Sequence, residues 1–213
     1  MVGPVNVYNI FYGNFQKQNG TKTMDLINHF TANIGNTSWY NMLTNFYQID
    51  KGVKTFVSRS SMKLRGVFQD TRTNVLTEMG IAELLVAKFN YESLPADPNA
   101  IYTVIFRGDI PMMNGGRSWL YDWCAYHGVF RLNNGYVIKF IVVGDSALSQ
   151  GGYLCQPIPN KASPNNNIGA DNMVSVLAHS IAGTITNSMK FVGNQPTARG
   201  AWHFDPSGLE NWG

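Results

Sequence analysis

Few residues in this chain could do chemistry, and the most informative lie in residues 171–187, DNMVSVLAHSIAGTITN. A zinc peptidase helix of the His-Glu-x-x-His type places two metal ligands at i and i+4, one turn apart on one face. A glutamate beside the first ligand serves as general base. Here the first ligand position is His179, the base position is Ser180 and the i+4 position is Gly183. The shape of such a site is present and most of its donors are missing. A zinc site needs three or four protein ligands. His203, Asp205 and Glu210 are the C-terminal side chains that could join His179, although no spacing rule selects them. With serine beside His179, water on a metal would lack its base. Ser180 is a weak nucleophile candidate, because adjacent helix residues point about 100° apart and no elbow motif surrounds it. The competing reading of His179 is a buried, neutral histidine hydrogen-bonded inside the domain. Gly183 costs about 1 kcal/mol of helix propensity relative to alanine. Close packing of another backbone or a bulky side chain against that turn is therefore expected.

Three other features carry chemistry. Trp119, Tyr121, Trp123 and Tyr126 crowd into residues 119–128, WLYDWCAYHG. If that run is extended, residues 119, 121 and 123 share one face. They could then form a platform for sugar rings, with core packing as the competing reading. Cys124 and Cys155 permit one disulfide or two free thiols, and neither sits in a Cys-x-x-Cys. Asn19-Gly20-Thr21 and Asn36-Thr37-Ser38 are N-glycosylation sequons, which matter only in a secreted chain.

The elements that must position these residues follow from periodicity. Val5–Tyr12, VNVYNIFY, reads as a strand, as do residues 101–106, IYTVIF, and 136–143, YVIKFIVV. The last follows an Asn-Asn-Gly turn. Residues 22–34 and 76–89 show helical spacing, and 39–47 repeats the pattern. Residues 53–58 and 62–69 look like two strands, in one arrangement a hairpin. Residues 172–186 form a helix that is apolar nearly all round, with Asp171 as its N-cap. The Asn165–Asn167 stretch before it reads as solvated turn chemistry. Strands alternate with helices, so the expected fold is a single α/β (α+β) domain over residues 1–213, a mixed β-sheet with packed helices.

Composition bounds the function. With 44% hydrophobic and 14% charged residues, the 213-residue chain is globular. A net charge of +3 without a basic run makes nucleic acid a poor partner. No segment reaches the roughly 18 apolar residues of a membrane span. The opening MVGPVNVYN shows no signal peptide, so the chain is expected to be non-secreted or to start at a mature or engineered end.

Several segments together point to a family. VYNIFYGNF at 7–15, LPADPNAIYTVI at 94–105, CAYHG at 124–128 and GADNMVSVLAHSIAGTITN at 169–187 run through most of the chain. In these it resembles the Exordium / phosphate-induced protein family, secreted proteins of plant cell walls. Some members read His-Glu-Leu-Ala-Glu in the last segment, so His179 matches the histidine while Ser180 and Gly183 replace the two glutamates. Ala201-Trp202 is similar to a following Ala-Trp, and Glu210 to a late glutamate. The resemblance implies a zincin-like scaffold whose central helix carries His179 and whose site has degenerated. It also implies a Cys124–Cys155 disulfide. The family tends to carry cysteine pairs four residues apart in both regions, and Leu120 and Gly151 stand at the partner positions here. The function it implies is a non-enzymatic extracellular protein of the cell wall or cell surface. Such a protein would bind surface polysaccharide or self-associate, and would use no metal or other cofactor. The alternative is a zinc-dependent hydrolase with an atypical ligand set around His179.

Overall fold

The computed structural model describes residues 1–198 apart from residues 2, 18, 51–52, 60–61, 115, 150–154, 156–162, 187–188 and 193–194. In chain order the elements begin with β1 (Val5–Tyr12), α1 (Gly20–Asn33) and α2 (Ser38–Met42). They continue with β2 (Tyr47–Asp50), β3 (Val53–Phe56), β4 (Met62–Asp70), β5 (Leu76–Thr77) and α3 (Glu78–Tyr91). Then come β6 (Ala100–Phe106), β7 (Met112–Asn114), β8 (Arg117–Ser118), β9 (Ala125–Arg131) and β10 (Val137–Gly144). The last are α4 (Ile168–Thr186), β11 (Met189–Val192) and β12 (Gln195–Ala198).

The apolar runs behave as a sheet covered on both faces must. Ala100–Phe106 is buried at every position and Val5–Tyr12 at all but one. The five-stranded sheet has the order β4-β1-β6-β10-β9. β1, β4, β6 and β10 run parallel, and β9 pairs antiparallel with β10. The crossover from β1 to β4 moves one way along the sheet and that from β4 to β6 moves back. Right-handed connections in opposite directions place their helices on opposite faces. Accordingly Val7, Phe11, Ile105 and Ile141 pack with Ile27 of α1 and Leu177 and Ile181 of α4. On the other face Ile10, Tyr102 and Val104 pack with Ile81, Leu84 and Leu85 of α3. The chain is thus a mixed α/β domain, as its alternation of elements predicts.

Local expectations needed four corrections. Residues 53–58 do not form a hairpin with 62–69. β3 pairs with β2, while β4 pairs parallel with β1, where it covers an edge that would otherwise be unpaired. The helical pattern of 39–47 lasts only through α2 and one 3₁₀ turn to Asn45, because Tyr47 already belongs to a strand. The helix expected at 76 starts at Glu78, where Thr77 caps it by accepting the Gly80 N–H at 3.0 Å. Asp171 is not the N-cap of α4. Asn167 is: its Oδ1 accepts the Ala170 N–H at 3.0 Å, and its Nδ2 donates to Thr23 of α1 at 2.9 Å. Asp171 instead accepts hydrogen bonds from the Ser163 hydroxyl and from the backbone and side chain of Asn165. Burial alone would raise its carboxyl, and these donors outweigh that and hold it below the ordinary carboxylate range.

The start of α4 is seated on the end of β10. A Cβ on Gly169 would stand 2.2 Å from Asp145 Oδ1, so no side chain fits there. Asp145 is 5% exposed and accepts the Ala147 N–H at 3.1 Å. Burial pushes its carboxyl up to about 6, against the Ala147 hydrogen bond and the Arg107 charge. A carboxyl near 4 in the unfolded chain and higher in the fold holds its proton more tightly when native. Its contribution to stability is therefore full below about pH 4 and is lost as pH rises through about 6. Asp145→Asn keeps an oxygen for Ala147 and removes this slope. Urea unfolding should show the variant gaining about 1–2 kcal/mol over the parent at pH 7 and nothing at pH 4.

Candidate functional site

The orientation of α4 decides what its motif can do. Met173, Leu177, Ser180, Ile181, Thr184 and Ile185 are buried and form the stripe against the sheet. Ser175 and His179 are exposed, nearly opposite that stripe. His179 is therefore not the buried histidine expected from the sequence. The helix is half-covered rather than enclosed, and residue 179 falls on its open side. Ser180, one step along, turns into the core at 2% exposure. Its carbonyl accepts the Thr184 hydroxyl at 2.7 Å. Ligand position and base position thus face away from each other.

Gly183 shows the close approach that its cost predicts. A Cβ there would lie 2.9 Å from Cε1 of His127 and 3.3 Å from its Nδ1. His127 stands on β9, opposite Ile141 of β10, and its imidazole fills the space a second ligand on α4 would need. Among the described residues no three His, Cys, Asp or Glu side chains gather as a metal-binding group. His203, Asp205 and Glu210 lie outside the described residues. Metal-dependent hydrolysis calls for converging donors and a base on the metal-bound water. An outward His179, an inward Ser180 and a covered Gly183 do not fit that requirement.

The aromatic run is not an extended platform. The chain doubles back at Leu120, whose φ is 76°, with the Leu120 N–H donating to Trp123 O at 2.9 Å. Asp122 Oδ2 accepts the Ser118 N–H at 2.7 Å and closes the loop. Trp119 is buried, lies edge-on to Phe106 at 4.6 Å and donates its indole N–H to Cys124 O at 3.1 Å. Trp123 and Tyr126 are half-buried and packed edge-on at 4.9 Å, and burial pushes the Tyr126 phenol up. Tyr121 alone of the four presents its ring to solvent, at 75% exposure. The alternation of faces was a property of a strand, and this segment turns before the strand begins.

Cys124 and Cys155 are joined as a disulfide. Asn19 and Asn36, the sequon asparagines, are both exposed, one just before α1 and one in the 3₁₀ turn after it.

Two further places matter. In open parallel sheets ligands bind beyond the strand ends where the order of connections reverses, which here lies between β1 and β6. Arg107 fills that crevice. It is 3% exposed, its Nη1 donates to Asn14 O at 3.1 Å and Lys17 O at 3.2 Å, and its Nε pairs with Asp109 at 3.1 Å. An open concavity lies elsewhere, a groove of about 430 Å³ between α1 and α4. Phe30, Trp39 and Val174 form its apolar floor, and His29, Asn33 and Asn165 its polar rim. Trp39 also packs against the core cluster on this face of the sheet.

Two measurements test this geometry. Gly183→Ala should destabilise the protein despite better helix propensity, and His127→Ala in that background should recover part of the loss. A double-mutant cycle should give a coupling of about 0.5–3 kcal/mol. Replacing both cysteines by serine removes a cross-link across 31 residues of sequence. Chemical denaturation should then show a loss of about 3–4 kcal/mol on the chain-entropy argument.

The phosphate-induced protein 1 conserved region matches residues 1–198. The protein EXORDIUM-like 5 of Arabidopsis thaliana is 26% identical over 217 residues, covering 92% of this chain. The chain spans 58% of that relative's length. No solved structure matches it. With the conserved region spanning nearly its whole length, the chain belongs to the phosphate-induced protein 1 family.

Proposed function

We propose that this protein is a non-enzymatic extracellular protein of the cell wall or cell surface that binds surface polysaccharide. The observation that carries the reading is the state of the α4 motif, in which His127 occupies the space at Gly183 and Ser180 is turned into the core. A disulfide, which persists in oxidising compartments, and two exposed sequon asparagines support an extracellular setting. The α1–α4 groove supports binding. Its volume suits a small ring system, and it offers aromatic side chains beside amide and imidazole groups. Sugars present apolar C–H faces and hydroxyls together, which such a lining matches.

Dialysis against a weak chelator followed by metal analysis separates this reading from a hydrolase. One retained equivalent of zinc with His179 among its ligands would overturn it. A panel of wall polysaccharides should include at least one that binds, and Trp39→Ala should weaken binding to a neutral one about tenfold in a variant that circular dichroism shows to be folded. Binding to none of the panel would sink the proposal.

A further inference from the structure

Charge is unevenly placed in this chain. Residues 47–69 hold five of its 16 lysines and arginines and one of its 13 acidic residues. A stretch with a net charge of +4 therefore sits in a chain of net +3, and the remainder is slightly acidic. This stretch comprises the β2–β3 hairpin and most of β4. Lys54, Arg59, Lys63 and Arg65 are all exposed, and none takes part in an ion pair among the described residues. Two of the guanidiniums are steadied by neutral partners. Arg59 Nε donates to Asn41 Oδ1 at 3.3 Å and Arg65 Nε to Asn6 Oδ1 at 2.8 Å.

The hairpin adds aromatic surface to this charge. Tyr47 and Phe56 are directly opposite across the strands, with ring centroids 5.4 Å apart, and both are exposed. The Lys54 ammonium lies over the Tyr47 ring at 3.7 Å and over the Phe56 ring at 4.9 Å. Val53 is 64% exposed on the same hairpin. An isolated two-stranded hairpin is marginal in water, and an exposed apolar patch on one calls for a partner.

We propose that the β2–β3 hairpin and the start of β4 form a binding surface for an acidic polysaccharide, with Tyr47 and Phe56 against sugar faces and Lys54 and Arg59 on its carboxylates. The inference rests on the extracellular, polysaccharide-binding reading and adds to the α1–α4 groove a second surface and the class of polymer it holds. Charge complementarity selects a polyanion. The ammonium fixed on the rings disfavours insertion into hydrocarbon, since burying those rings would carry the charge with them. Nucleic-acid interfaces are strongly basic, whereas the chain outside this stretch is slightly acidic. A polyuronate offers one carboxylate per ring together with apolar sugar faces, which matches a cation seated on aromatics.

Polygalacturonate, a neutral β-glucan, a single-stranded oligonucleotide and vesicles containing anionic lipid should be titrated against the whole protein. Polygalacturonate is expected to bind, less tightly as salt is raised. Lys54→Glu combined with Arg59→Glu should lower its affinity at least about tenfold. Lys54→Gln, which removes the charge alone, should lower it less, and Phe56→Ser should weaken it without changing the salt dependence. Arg117→Glu, at an exposed position outside this stretch, should leave it unchanged. Polygalacturonate binding that survives the double reversal overturns the inference, as does equal or tighter binding to the oligonucleotide or the vesicles. Binding to the neutral glucan without polygalacturonate overturns the inference and leaves the proposed function standing. Binding to no polysaccharide removes both.

Discussion

How α4 is turned about its own axis decides what each of its side chains can do, and that rotation is fixed by contact at two glycines. Gly169 lets the first turn press against the Asp145 carboxylate, and Gly183 lets the last turn press against the His127 ring. A side chain at either position would push the helix off the sheet or roll it. Along the same helix, leucine and isoleucine at 177, 181 and 185 lie on the sheet face that β1, β6 and β10 build. The sheet, the helix and the loop that enters it are then one packing problem. Asn167 caps the helix, reaches α1, and follows a turn held by Asp171.

This rotation has a chemical result. On a helix, a histidine and the residue after it cannot both face one substrate unless the helix lies at the edge of a cleft. Here one is in solvent and the other in the core. The motif that looks most like chemistry in the sequence is therefore a packing device in the fold. The binding surfaces proposed above lie outside it, in a groove shared with α1 and on the separate β2–β3 hairpin.

Much of the fold was legible because burial on both faces leaves an unmistakable pattern. Runs such as IYTVIF at 101–106 have no polar side for a helix to show. What was not legible depended on partners distant in sequence. Nothing in residues 53–69 says that β4 pairs with β1 rather than with β3, since each alternates acceptably by itself. Asp171 and Asn167 are both good caps, and only the loop at 163–165, which claims the carboxylate, decides between them. One left-handed residue, Leu120, cancels the strand-like alternation of 119–123, so both tryptophans take the core-packing reading rather than the platform. Gly183 was read correctly as a place of close approach, while the histidine that approaches it comes from a strand more than fifty residues earlier.

The Arg107 side chain has a consequence for how such a domain can acquire activities. In sheets of this kind the gap beyond the strand ends is a ready socket, reached without disturbing the core. Here the socket is corked from inside by a guanidinium tied to two carbonyls of the loop after β1. Drawing that cork would take the donor from the Asn14 and Lys17 carbonyls and open the loop together, so a single substitution does not readily reopen the gap. New contacts on this fold are more easily built outward, at helix flanks and strand edges. There substitutions leave the core alone, and shallow contacts with extended polymers are easier to build than enclosed pockets.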